Sequence, residues 1–364
     1  MLRRIATVVT ANIDGPLLAA AAALLGIGLA VLYSASGESV ARVLSQFGNI
    51  GVALLVMWFA AKVPPNHMLR IALPAYLVGI ALLIGVALFG EMSNGARRWL
   101  HIGVTRIQPS ELMKIAIPLA LAWFFHRNEG KLGIHHFAVS AVILLLPVGL
   151  IVRQPDLGTA ILITASGFFV IFLAGMSWRI MLALAVGAVA AAPILWTLLQ
   201  DYQRQRILTL IDPTQDRLGA GYHTIQSTIA LGAGGLGGKG WLKGTQSHLD
   251  FLPERTTDFI FAVYSEEFGL IGNIVLILLF LALIARGLMI TASAPTTFAR
   301  LLAGAITLGF FTYAFVNMGM VSGILPVVGV PLPLISYGGT SLVTICLGFG
   351  ILMSIQTHRK LVQT

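Results

Sequence analysis

Charge and cysteine are both scarce in this chain. Of its 364 residues only 10% are charged, 57% are hydrophobic, and one is a cysteine, Cys346. A single cysteine excludes a disulfide-stapled scaffold, and the 39 glycines follow no triplet period, which excludes a collagen-like chain. A soluble domain carries about a quarter charged residues, so this chain lacks the polar surface that it would need in water. The composition indicates a polytopic membrane protein.

Long apolar runs are present instead. A helix needs roughly 20 apolar residues to cross about 30 Å of hydrocarbon, because its backbone groups must be satisfied internally. Ten stretches qualify: 16–34, 46–62, 71–89, 110–125, 137–152, 158–175, 179–199, 258–285, 300–322 and 337–356. The expected fold is all-α, a polytopic integral membrane protein with about ten transmembrane helices in a single domain, 1–364. One long extracytoplasmic loop, about 200–257, lies between spans seven and eight, and its Gly-rich part, 222–240, is too broken to span.

The net charge of +9 would suggest a nucleic-acid partner in a soluble protein. With the N-terminus in the cytoplasm, however, every cytoplasmic segment carries base, as the positive-inside rule requires. These bases are Arg3, Arg4, Lys62, Arg70, Arg127, Lys131, Arg179, Arg286, Arg300, Arg359 and Lys360. Together with Asp14 and Glu129 they account for the whole +9, and the outer side is balanced. The pattern predicts cytoplasmic termini and no nucleic-acid partner.

The first of four polar clusters at the outer ends of spans contains Arg98-Trp99, Glu111 and Lys114. Pro109 suits the first turn of a helix, and Glu111 and Lys114 share a face at i, i+3. A capped helix with an interfacial Trp anchor is the structural interpretation. Lys114 argues for more than that, because an unpaired ammonium inside hydrocarbon is costly.

The second and third clusters surround two acids. Asp156 follows Arg153 in a tight turn, where it would cap the sixth span and pair with Arg153. Asp258 is expected in the first turn of the eighth span, capped by Thr256 or Thr257, where an acid complements the helix dipole. Two turns further along, the adjacent acids Glu266 and Glu267 predict that at least one side chain faces the bundle interior.

The fourth cluster, 326–341, carries three prolines and three glycines that break the last part of the membrane domain. Non-helical backbone within a membrane is tolerated where it lines a cavity or is buried in protein. Ser336, Tyr337, Thr340 and Ser341 are therefore expected to donate hydrogen bonds into a cavity. Bases, acids and a broken helix on one face favour an anionic, lipid-borne substrate entering from the outer leaflet.

These motifs resemble the SEDS family over nearly the whole chain. The resemblance rests on Arg98-Trp99, Gln108-Pro109-Ser110-Glu111 with Lys114, Arg153–Thr159, Gly244-Thr245-Gln246-Ser247-His248, Leu252–Phe261 with Glu266-Glu267, and Pro331–Ser341. The segment 244–248 and the short N-terminus are similar to the elongation branch rather than the division branch. One departure is Thr256, where the family commonly has histidine, so a mechanism that needs an imidazole there is in doubt.

The resemblance implies a peptidoglycan glycosyltransferase that polymerises lipid II on the periplasmic face of the bacterial inner membrane during cell elongation. Its expected partners are a class B penicillin-binding protein, which is the transpeptidase, and other elongation-complex membrane proteins. Asp258 falls on the family's essential outer-loop aspartate, and we expect it to be the base that deprotonates the acceptor hydroxyl. Lys114, Arg98 and Arg153 are the expected pyrophosphate ligands, alone or with a divalent cation, Mg or Mn, whose ligands the sequence leaves unknown. Trp99 and Glu111 complete the expected substrate site, with Asp156, Glu266, Ser336 and Tyr337 in support.

Three alternatives stay open at the level of the sequence. A flippase or transporter for the same lipid also needs a charged membrane cavity, although its charges should reach the inner leaflet. The chain would otherwise be the division-type paralogue of the same family, or a non-catalytic scaffold that recruits the transpeptidase.

Overall fold

Twelve α-helices make up most of the described chain. The computed structural model describes residues 12–93, 96–102, 105–216, 219–245 and 254–359, so Arg3, Arg4, Lys360 and the motif residues 246–248, 252 and 253 lie outside it. The helices are α1 Gly15–Ala35, α2 Val40–Lys62, α3 Pro65–Phe89, α4 Pro109–Arg127, α5 Ile134–Val152, α6 Leu157–Leu173, α7 Trp178–Leu198, α8 Asp201–Ile211, α9 Ala220–Ala233, α10 Ile260–Ala292, α11 Thr297–Val321 and α12 Thr340–Thr357.

Ten of these helices coincide with the ten expected spans. Seven of them, α1, α2, α3, α5, α10, α11 and α12, are long and apolar enough to cross a membrane by length and composition. The remaining spans correspond to α4, α6 and α7, while α8 and α9 lie in the long outer segment. The predicted class, an all-helical multi-pass membrane protein, is confirmed.

Local chemistry explains where several helices begin. The Asp14 carboxylate accepts from Leu17 N at 3.0 Å and so caps α1. Arg286 of α10 donates to the same carboxylate from Nε and Nη2. Proline occupies the first turn of α3 and α4, where its missing N–H costs nothing. Asp156 caps α6 by accepting from Thr159 N at 3.3 Å.

The centre of the bundle is α11. In its apolar stretch of 18 residues, 78% of the residues are buried inside the protein. The helix packs against α4, α6, α10 and α12. Glycines permit the close approach of α11 to α6 and α10. A Cβ on Gly304 would lie 2.3 Å from Leu173 Cδ1 of α6, and a Cβ on Gly287 of α10 would lie 2.4 Å from Thr307 Oγ1. The face of α11 that bears Tyr313 and Asn317 is therefore fixed in the interior.

A small antiparallel sheet, which the hydrophobic runs did not predict, connects α3 to α4. Its strands are β1 Glu91–Ser93, β2 Ala96–Ile102 and β3 Thr105–Ile107, in the order β1-β2-β3. Trp99 lies opposite Glu91, and Leu100 lies opposite Ile107. The sheet holds Arg98 next to the start of α6.

The long outer segment is partly helical, which corrects the expectation of one loop over 200–257. It contains α8, a 3₁₀ turn at Pro213–Asp216 and α9, and the Ser227 hydroxyl of α9 donates to Val321 O at 2.9 Å. The glycine-rich stretch after α9 then packs on a break in α10 at Gly269, where φ is 63° and ψ is −161°. Leu270 N donates to Gly235 O at 2.9 Å, and Lys239 N donates to Glu266 O at 3.0 Å. A Cβ on Gly269 would lie 2.3 Å from Gly238 N, so this approach requires glycine.

Candidate active site

The outer end of α4 carries a buried ion pair. Glu111 and Lys114 share one face, as predicted, with Nζ 2.5 Å from Oε1, and only 9% of Lys114 is exposed. The Lys114 ammonium also lies 5.0 Å from the centre of the Tyr313 ring on α11. This ion pair satisfies a charge that would otherwise be costly inside the membrane domain.

A second group of contacts joins the sheet to the start of α6. Arg98 Nη2 donates to Pro155 O at 2.6 Å, and Arg98 Nε lies 3.9 Å from Asp156 Oδ2. Gln108 Nε2 donates to the same carboxylate oxygen at 3.3 Å. The predicted cap by Asp156 is confirmed, but the predicted pairing with Arg153 is wrong. Arg153 is the exposed C-cap residue of α5, and Arg98 reaches Asp156 instead because β2 folds back over the turn.

Asp258 lies in a turn, 254–259, just before α10. We expected it in the first helical turn, capped by Thr256 or Thr257, and that placement is wrong. The helix begins at Ile260, its N-cap residue Phe259 makes no side-chain cap, and Thr257 Oγ1 bonds to Glu254 instead. Burial raises the pKa of the half-buried Asp258 to about 6; the charge of Glu254 adds to this rise and Arg206 opposes it.

The broken segment 326–339 holds this turn in place. Ser336 Oγ donates to Thr257 O at 2.6 Å and accepts from Leu332 N at 2.7 Å, while Tyr337 N donates to Thr256 O at 2.9 Å. The phenol of Tyr337 pairs with Ser45 Oγ at 3.1 Å. Ser336 and Tyr337 therefore bind main chain and a neighbouring helix, and do not donate into a cavity as we expected. A Cβ on Gly329, whose φ is +72°, would lie 3.3 Å from Asp258 Oδ2.

Asn317 is the residue that sequence reasoning missed. It is fully buried on α11, and its Nδ2 donates to Asp258 O at 2.8 Å and to Val330 O at 2.7 Å. A single amide thus joins the Asp258 turn to the broken segment. The signal was an amide side chain within the predicted span 300–322, where a polar group needs a partner.

The two clusters meet on α11. Tyr313, beside Lys114, and Asn317, which holds Asp258, are four residues apart and so lie one turn apart on one face. The start of α6 reaches the same place, because a Cβ on Gly158 would lie 2.6 Å from Val328 O. Lys114, Asp156 and Asp258 therefore surround a common outer corner of the bundle.

Glu266 anchors the other end of the loop that leads to Asp258. It is fully buried, and its Oε1 accepts from Lys239 Nζ at 2.6 Å, from Thr245 N at 2.9 Å and from Thr245 Oγ1 at 3.0 Å. Glu267 is also buried and accepts from the Ser34 hydroxyl. The expectation that at least one of the two acids faces the bundle interior is confirmed by Glu267, which bonds to α1, whereas Glu266 is buried against the loop.

Residues 16–361 match the family model described as cell cycle proteins of the FtsW, RodA and SpoVE type. The chain belongs to this family. It is 51% identical to the peptidoglycan glycosyltransferase MrdB of Escherichia coli K12, over 96% of this chain and 95% of that protein. It is 32% identical to the peptidoglycan glycosyltransferase RodA of Treponema pallidum, over 96% and 98% of the two chains.

Solved structures of the FtsW/RodA/SpoVE family agree with this fold. A chain of a peptidoglycan synthase complex, described for the coordination of polymerization and crosslinking, superposes with a TM-score of 0.84 at 30% identity, covering 96% of this chain and 98% of that one. The rod shape determining protein RodA of Thermus thermophilus superposes with a TM-score of 0.72 at 29% identity, covering the same shares.

The described acids at this corner of the bundle do not form a site for a resident divalent cation. Among the described residues, no group of three or more His, Cys, Asp or Glu side chains is arranged to hold a metal ion. Glu111 and Asp156 are already partnered by Lys114, Arg98 and Gln108.

Asn317→Ala is expected to lower the kcat of glycan polymerisation about tenfold or more with little change in KM, because two buried carbonyls lose their donor and the Asp258 turn loosens. The free energy of unfolding should fall by about 2–4 kcal/mol. Steady-state kinetics and thermal unfolding in detergent measure both effects. Asn128→Ala is the matched control, since it removes an amide that donates to Phe124 O at 2.8 Å at the end of α4 remote from Lys114. Equal kcat values for the two variants would contradict the positioning role.

Proposed function

We propose that this protein is a peptidoglycan glycosyltransferase that polymerises lipid II during cell elongation and maintenance of cell shape. The observation that carries the proposal is Asp258, a half-buried carboxylate with a pKa of about 6, placed one turn of α11 from the Lys114 cluster. A base and a cation held by neighbouring turns of one helix suit a reaction that takes a proton at one atom and releases an anion at another. The names of the similar proteins from E. coli and T. pallidum support the same activity.

The reaction joins two lipid-linked sugars. Asp258 accepts the proton of the acceptor 4-hydroxyl, and the hydroxyl oxygen attacks the anomeric carbon of the donor. The bond from that carbon to the diphosphate oxygen breaks, and one displacement inverts the configuration. At a pKa of about 6 the carboxylate is mostly ionised at pH 7 and basic enough to accept the proton.

Lys114 is the principal ligand that we propose for the departing pyrophosphate. Its ammonium has three N–H donors, of which Glu111 takes one and Tyr313 a second, which leaves one for a phosphate oxygen. Arg98 is held by Pro155 O and Asp156, so its proposed role is to support the site with Glu111 and Trp99. Arg153, exposed at the same face, would meet phosphate only at the rim.

The positions of the basic residues support an orientation in the membrane, and the similar structures support a partner. We propose that both termini are cytoplasmic and that the site faces the periplasm from the bacterial inner membrane, since the bases of the inner connections obey the positive-inside rule. A class B penicillin-binding protein and other membrane proteins of the elongation complex are the proposed partners. The similar chain from a complex that coordinates polymerization and crosslinking supports the first of these.

Incubation with lipid II in detergent micelles tests the function. A polymerase, purified with its transpeptidase partner, will form glycan chains there. A flippase or a scaffold will not, because micelles have no leaflets to connect and the transpeptidase does not join sugars. Absence of glycan with an active partner would overturn the proposal. The division-type assignment would be favoured instead if activation required a division-specific transpeptidase.

The pH dependence of this assay should follow the Asp258 pKa. Activity is expected to rise as the pH increases through about 6, because only the ionised carboxylate accepts a proton. Glu254→Gln removes a negative neighbour and should move the acid limb to lower pH, whereas Arg206→Gln removes a positive one and should move it to higher pH. Profiles of kcat/KM from pH 5 to 8 measure these shifts. Shifts of the same sign in both variants would contradict the assignment of the limb to Asp258.

A further inference from the structure

Two apolar clefts flank α4 in the described part of the chain. One lies between α4, α6, α11 and α12. The other lies between α2, α3, α4 and α12 and is lined by apolar residues alone. Ile115 lines both clefts and forms part of the wall between them.

The first cleft, here named the Lys114 cleft, is amphiphilic along its length. Lys114 is its one charged lining residue, and Tyr313 lies beside it, whereas Ile306, Phe310 and Phe349 line its apolar part. From Tyr313 to Ala305 it runs eight residues along α11, roughly 12 Å at 1.5 Å per residue. An ammonium next to an apolar channel complements a molecule with an anionic head and a hydrocarbon chain.

The Lys114 cleft also opens sideways. Thr344 and Ile345, on its α12 side, and Ile306, on its α11 side, are each only half-buried. The opening therefore lies between α11 and α12 and faces the surrounding lipid. A chain would enter from the membrane, with its head remaining at Lys114.

We propose that the Lys114 cleft binds the hydrocarbon chain of the lipid-linked donor, with the diphosphate of the donor beside the Lys114 ammonium. The inference rests on the proposed function and assigns a place to one of its two lipid-linked substrates. Both substrates carry a long chain, and the wall at Ile115 keeps the donor chain apart from any chain in the second cleft. The diphosphate would leave with its lipid along the path by which the donor entered.

A photoreactive polyprenyl diphosphate tests the site directly. The probe carries no sugar, has a diazirine in its first isoprenoid units, and is irradiated with the full-length Asp258→Asn protein in detergent. Peptide mass spectrometry should find adducts on the cleft faces of α11 and α12, near Ile306 and Phe310. Adducts confined to α2 and α3, or equal labelling of these sites by a diazirine-bearing phosphatidylglycerol, would overturn the inference.

Glycine offers a matched pair of variants. A Cβ on Gly309 would lie 3.6 Å from Ser166 Oγ, an ordinary contact, so Gly309→Ala should keep the labelling. Gly309→Leu should fill the cleft and reduce labelling about tenfold, and Ala75→Leu, in the second cleft, should not. Replacing Lys114 with Met, together with Glu111→Gln, should also reduce labelling about tenfold through loss of a charged hydrogen bond.

The outcomes separate this inference from the proposed function. The adduct map of the Asp258→Asn protein needs no substitution in the cleft. It therefore shows whether the chain lies in the Lys114 cleft even if Gly309→Leu does not fold. The probe is not turned over, so labelling does not depend on catalysis. Glycan formation by the Asp258→Asn protein would overturn the catalytic proposal and leave the adduct map standing. Normal glycan formation by the unaltered protein with no adducts in the Lys114 cleft would overturn the inference alone.

Discussion

Asp258→Asn is expected to reduce glycan polymerisation from lipid II by about 10²–10⁴-fold, the range in which a general base contributes. The amide is isosteric with the carboxylate but does not accept the proton of the acceptor hydroxyl. Asn317 and Ser336 hold the main chain of the turn, not the Asp258 side chain, so the fold should persist. Glycan chain formation by the purified complex, with thermal unfolding measured in parallel, provides the test.

The same chemical change at an exposed acid is the control. Asp201 lies at the start of α8 with a fully exposed side chain, and Asp201→Asn should keep activity within about twofold. Asp258→Glu retains the carboxylate but moves it, so partial activity is expected. An Asp258→Asn protein that polymerises at more than a tenth of the normal rate, with normal stability, would show that the base lies elsewhere.

Lys114→Met is expected to reduce both activity and stability. The loss of the ammonium leaves Glu111 in an apolar environment without its cation, which costs about 3–5 kcal/mol of unfolding free energy for a buried pair. The pyrophosphate also loses its principal ligand, so kcat/KM should fall about 10²–10³-fold. Thermal unfolding and initial rates over a range of lipid II concentrations measure the two effects.

The double variant Glu111→Gln with Lys114→Met separates these two roles. With neither charge present, the cost of an unpaired buried ion disappears and stability should return close to normal. Activity should stay low, because the cation that binds pyrophosphate is still missing. Recovery of activity together with stability would show that Lys114 is needed only for folding.

Features with a local signal were predictable from the sequence. The ten spans followed from uninterrupted apolar runs, and Pro109 with Glu111 and Lys114 marked the start of α4 and its ion pair. Asp156 was predicted as a cap because an acid before a helical run has one obvious donor, the backbone N–H three residues on. The ion pair and the helix cap each join residues three positions apart in the sequence.

Features that depend on distant partners were not predictable. The Asp258 turn continues to Phe259, although Thr256 and Thr257 look like caps, because Asn317, Ser336 and Tyr337 bind its main chain from 59 to 81 positions away. Arg153 was the predicted partner of Asp156 because it is a near neighbour in sequence, whereas β2 brings the distant Arg98 to that carboxylate. Strands of three residues, such as β1 and β3, are too short for alternation to stand out in an apolar chain.

The break at Gly269 relieves the first nine residues of α10 of the task of crossing the membrane. An unbroken α10 of 33 residues would be roughly 50 Å long, well beyond the about 30 Å of a bilayer's hydrocarbon. Residues 270–292 alone, roughly 34 Å, suffice to cross it. The nine residues 260–268, roughly 14 Å of helix, are therefore available to hold the Asp258 turn against Asn317 of α11. Two substrates tethered by their lipids keep their sugars close to the membrane, and the turn that carries the proposed base is fixed there by a helix of the membrane domain.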